Sequence, residues 1–168
     1  MTKQLTRLFT VLGAASLLMS ACASQKGSTA VTAGGMRKAA TGKWTLNSVN
    51  YEGLPSTAKI STVFSNIPPD CLQGSSWVLP SNSNGSFTIN SSAAGCTTGT
   101  QDIVWSTINQ NGVIMLQFKE MMSGVKAKNI LDGYRVELAQ ADQASMVWRA
   151  PVTYEGKTAY VVYSFSRQ

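Results

Sequence analysis

Residues 133–167 read GYRVELAQADQASMVWRAPVTYEGKTAYVVYSFSR. Tyr134, Val136 and Leu138 alternate with Arg135 and Glu137, and Ala159, Val161, Tyr163 and Phe165 share one parity near the C-terminus. A period of two, carried by β-branched and aromatic residues, marks strands with one dry and one wet face. The stretch therefore predicts three strands: Gly133 to Ala139, Ser145 to Ala150 and Thr158 to Arg167. Working backwards, runs of the same kind recur at Lys43 to Asn50, Ser76 to Ser81, Ser86 to Asn90, Asp102 to Ile108 and Val113 to Lys119. Turn dipeptides punctuate them at Asn84-Gly85, Asn111-Gly112, Asp132-Gly133 and Glu155-Gly156. Eight strands joined mostly by short loops predict an all-β, eight-stranded antiparallel up-and-down barrel, because closure removes both exposed edges.

One segment departs from this period. Ile60, Val63, Phe64 and Ile67 fall at helical spacing, Pro55-Ser56 offer a start and Pro68-Pro69 a stop, so a short amphipathic helix is expected over 56–67, after the first strand. Its apolar stripe needs a partner, and the open end of a barrel supplies one. Whether it is a plug or a movable lid is open from sequence.

Composition narrows the chemistry. The 168 residues are 43% hydrophobic and 13% charged, enough for one globular domain, and they include no histidine. That excludes His-dependent triads, His-ligated metals and a His general base. Glu52, Asp70, Asp102, Glu120, Asp132, Asp142 and Glu155 sit at or near expected turns or strand ends; only Glu137 is mid-strand, on the polar face. No acid–base pair shares a strand face, and no G-x-S-x-G, phosphate-binding loop or C-x-x-C occurs. The chain is expected not to be an enzyme, and to have no cofactor and no metal site. Gly99 to Asp102 and Gly124 to Lys128 are read as solvated loops rather than anion sites. The net charge of +6 falls to +4 without Lys3 and Arg7, and no basic stripe points to nucleic acid.

The N-terminus carries an address. Lys3 and Arg7 precede an apolar run from Leu8 to Met19 that is too short to span a bilayer, followed by Ser20-Ala21-Cys22. This resembles a bacterial lipoprotein signal peptide over residues 1–21, with Met19 where that class usually has Leu. The resemblance implies that Cys22 becomes the lipidated N-terminus, anchoring a monomer to the membrane in the cell envelope. Ala23, rather than an acidic residue, points to the outer membrane. Residues 22–41, rich in Ala, Ser, Gly and Thr without apolar period, are expected to be a flexible tether. Two cysteines remain in an oxidising compartment. The midpoint of Cys71 and Cys96 falls at Ser83-Asn84, so an antiparallel hairpin about that loop brings them opposite one another, and a Cys71–Cys96 disulfide is expected.

Gly42-Lys43-Trp44, the eight-strand count and Arg167 at the end of the last strand resemble the lipocalin pattern, in which G-x-W packs beside an arginine at the closed end of the barrel. Residues 42–168 are more specifically similar to bacterial lipocalin-like lipoproteins. The similarity is carried by Val63-Phe64-Ser65-Asn66-Ile67-Pro68, Cys71-Leu72-Gln73-Gly74-Ser75-Ser76-Trp77, Gly95-Cys96, Ile103-Val104-Trp105-Ser106, Gly133-Tyr134-Arg135 and Tyr154-Glu155-Gly156-Lys157. Antiparallel closure of the first strand on the last also brings Trp44 beside Arg167 for a cation–π contact. An eight-stranded barrel either fills itself with side chains or holds one small ligand. The leading expectation is a cup for a small hydrophobic or amphipathic molecule, walled by Trp105, Met115, Tyr134, Trp148 and Tyr163. The alternative is a packed barrel acting through protein–protein contacts, as a structural or inhibitor module.

Overall fold

The computed structural model describes residues 32–168 apart from Lys59. The signal peptide, Cys22 and the tether as far as residue 31 lie outside the described residues. Eight antiparallel strands close a barrel in sequence order. They are β1 (Gly42–Glu52), β2 (Ser76–Leu79), β3 (Asn84–Ile89), β4 (Gly99–Gln110), β5 (Val113–Glu120), β6 (Tyr134–Ala141), β7 (Ser145–Tyr154) and β8 (Lys157–Arg167). Closure is made by β1 on β8, with Trp44 opposite Arg167 and Glu52 opposite Tyr160. Alternation sends Leu46, Trp77, Phe87, Trp105, Phe118, Leu138, Trp148 and Phe165 inward, all buried.

The end where β1 begins, here the basal end, is sealed by a helix where a tether was expected. Helix α1 (Ala33–Ala40) includes Gly34-Gly35 and is too short to be stable alone. Its contacts hold it. The Thr32 hydroxyl caps Gly35 N–H at 3.0 Å, and Thr107 Oγ1 donates to Ala33 O at 3.0 Å. The Trp44 indole donates to Ala40 O at 2.8 Å. Arg37 lies 4.4 Å over the Trp105 ring while donating to Ser81 O and Ser83 Oγ. Arg167 stacks 4.3 Å over Trp44 and donates to Ala39 O and Thr41 O in the same seal. A Cβ at Gly42 would collide with this guanidinium, which gives the G-x-W glycine its physical reason.

The opposite, distal end is covered by the 53–75 connection. The expected helix over 56–67 is confined to one 3-10 turn, Phe64–Asn66, and the short helix after β1 lies further on, as α2 (Pro69–Leu72). The β-branched Ile60, Thr62, Val63 and Ile67 weaken a helix, and the residue before Pro68 is kept out of the α region: Ile67 is extended at φ −77, ψ 129. Pro69 opens α2 instead, where its missing N–H is harmless. The tight turn drives Phe64 into the barrel mouth at 5% exposure, so the segment is a plug.

The Cys71–Cys96 disulfide is present, with Cα atoms 5.4 Å apart, and joins α2 to the β3–β4 loop. Its setting differs from the expected one. The β2–β3 ladder pairs Ser76 with Thr88 and Trp77 with Phe87, which centres the hairpin on Asn82, and both cysteines lie beyond the ends of that ladder.

Candidate functional site

The barrel axis is occupied by rings. Phe64 lies 5.0 to 6.4 Å, centroid to centroid, from Trp77, Phe118, Tyr134 and Tyr163. Trp148 continues the stack at 5.1 Å from Trp77 and 4.5 Å from Phe165. Trp148 and Tyr163, expected to wall a cup, are members of this interlocked column and are 0% and 1% exposed. The buried indole N–H of Trp148 has no hydrogen-bond partner. Burial pushes the Tyr163 phenol well above its ordinary value, with a smaller contribution from Tyr51. Met115 was expected on the inner wall and faces outward. The Asn111-Gly112 turn sets the parity of β5 so that Ile114, Leu116 and Phe118 take the inside.

Trp105 and Tyr134 also point inward, Tyr134 within 5.1 Å of Phe64 and Phe118, and both edge an opening on the outside of the barrel. It is a groove of about 550 Å³ between the outer face of β4–β6 and the β5–β6 loop. Register explains its floor: Val104 pairs with Lys119, Ser106 with Gln117 and Gln117 with Arg135, so these side chains share the outer face. The loop passes close because residue 133 is glycine; a Cβ there would press at 3.0 Å on Lys119 Cγ and Phe118 O. Lys119 Nζ donates to Ile130 O at 2.6 Å and fixes the loop over the sheet. Leu131 is left 92% exposed at the rim. No sequence pattern announces this groove, because its residues come from three strands, a turn and a loop with no period of its own.

Its electrostatics differ from the rest of the wall. Lys119, Lys128 and Arg135 line the groove and no carboxylate does. Arg135 donates to Gln110 and Gln117, both neutral. On another part of the wall Arg149 pairs with Glu52 and Glu137 and stacks 4.0 Å over Tyr160. Outward-facing Met115 lines a shallower depression there of about 300 Å³, with Val113, Glu137 and Tyr160.

Compared with known proteins, the chain matches no family model, no curated protein and no solved structure. Among the described residues no helix is long and apolar enough to cross a membrane.

Proposed function

We propose that the chain is a non-enzymatic, lipid-anchored, lipocalin-like binding protein of the cell envelope, attached to the outer membrane through Cys22. Its ligand is a small amphipathic molecule taken by the outer groove rather than by the barrel axis. The observation that carries this is the groove itself: about 550 Å³, apolar at Val104 and Leu131 and polar at one rim, within the size range of small-molecule sites. The aromatic column leaves the axis to packing, so the wall is where binding has room.

Native mass spectrometry of the full chain purified from its own cells tests the reading. A bound species of a few hundred daltons is expected, displaced in Leu131→Asp with the circular dichroism unchanged. A bare chain that also fails to bind added medium-chain amphiphiles defeats it. The anchor is tested separately: fatty-acid labelling is lost in Cys22→Ser.

A second reading, a module for protein–protein contact, is favoured by one feature: Leu131 and Met122, 92% and 58% exposed, protrude from the same loop. Co-purification of a protein that is released by Leu131→Asp, with no small molecule present, would put that reading first.

A further inference from the structure

Six of the described cations differ in what they touch. Arg149 is matched by two carboxylates. Arg37 and Arg167 lie on indole faces and give their N–H groups to carbonyls and a hydroxyl at the basal seal. Lys119, Lys128 and Arg135 form no ion pair, yet all three line one concavity. The acids nearest in sequence are Glu120, Asp132 and Glu137; none of them lines the groove or pairs with any of the three, and Glu137 is turned to Arg149. Positive charge gathered in a concave, partly apolar site raises the local concentration of anions.

Apolar surface lies beside these cations. Val104 forms part of the floor between these cations, and Leu131 stands above it, nearly fully exposed. An exposed leucine beside unpaired cations matches a ligand with an apolar tail and an anionic head. The groove is bounded by Ser83 of the β2–β3 turn on one side and by the β5–β6 loop on the other, which suits a short single chain.

We infer that the groove binds a single-chain anionic amphiphile, its head held by Arg135 and Lys128 and its tail laid along Val104 and Leu131. Lys119 acts differently: committed to Ile130 O, it fixes the loop over the sheet. The inference rests on the reading that this groove is the ligand site, and it adds the sign of the ligand's charge.

Calorimetric titration of the full chain with decanoate, decanol and decyltrimethylammonium tests it. Decanoate is expected to bind at least about tenfold more tightly than the other two, as one or two charge-assisted contacts allow. Raising the salt concentration should narrow the margin. Lys128→Gln/Arg135→Gln should bring decanoate down to the level of decanol; both positions are exposed, and an unchanged melting temperature confirms that the variant folds. Amide shifts on adding decanoate should cluster at residues 104, 119, 131 and 135. Equal binding of decanol and decanoate overturns the charge assignment and leaves the amphiphile reading standing. No binding of any of the three removes both. A preference for decanoate that survives in the double variant, or shifts centred on Trp148 and Tyr163, overturns the placement.

Discussion

The basal end of the barrel is closed by α1 and Arg167 through many polar contacts, whereas the distal end is closed by one phenylalanine on an irregular strap and a disulfide. At the basal end Arg167 alone reaches the carbonyls of Ala39, Thr41, Asp142 and Gln143 and covers Trp44. The load is spread, so losing any one bond leaves the seal in place. At the distal end the four ring contacts of Phe64 converge on a single side chain, and the covalent link limits how far its strap can move. A seal made of one ring is the more easily broken by one change.

The largest effect is therefore expected at Phe64. Phe64→Ala should destabilise the domain by about 3 to 5 kcal/mol, measured by denaturant unfolding. It should also let water reach Tyr163, whose phenol is held neutral by burial. With the folded pKa raised, that contribution to stability is intact below the ordinary value near pH 10 and is lost as pH rises beyond it. In Phe64→Ala, phenolate absorbance should appear at lower pH than in the parent; an unchanged titration would mean that the ring does not keep Tyr163 dry.

Next comes the disulfide. Cys71→Ser/Cys96→Ser should cost about 3 kcal/mol for a separation of 25 residues, with hydrogen-exchange protection falling at the strap before the basal end. Equal loss at both ends would show that the two closures are one cooperative unit. A smaller change, about 2 kcal/mol, is expected for Arg167→Ala, which removes the stacking on Trp44 and the carbonyl contacts together. The smallest is Thr32→Ala, about 1 kcal/mol from the lost cap on α1, with exchange quickening at residues 33–36 only.

The strands were legible because their two signals agreed. Alternating burial marked the faces, and Asn111-Gly112 and Glu155-Gly156, all four at positive φ, marked the turns. Asn84-Gly85 has the same composition and was misleading: it opens β3, while the positive φ of the turn belongs to Ser83. That displacement moves the hairpin centre and leaves the cysteines outside the ladder, although their pairing was read correctly. Trp44 and Arg167 met as their positions at opposite ends of the chain required. Helix α1 was not legible, since Ala33-Gly34-Gly35 has little helical preference and its stability comes largely from Trp105, Thr107 and Arg167, all distant in sequence, besides nearby Trp44. The inward side of β5 was equally hidden, because Ile114, Met115 and Leu116 are all apolar and period two does not separate them.

Docking of α1 against the barrel has a consequence for how the domain is moored. With residues 22–41 all free, nineteen residues would separate Cys22 from β1 and could extend about 65 Å. With Thr32 fixed as the cap of α1, the ten residues from 23 to 32 reach about 35 Å at most, whatever their conformation. If Cys22 is lipidated, the attachment also leaves from the basal end. The base of the barrel is then held within about 35 Å of the bilayer, and the groove opens on the flank rather than at the moored end.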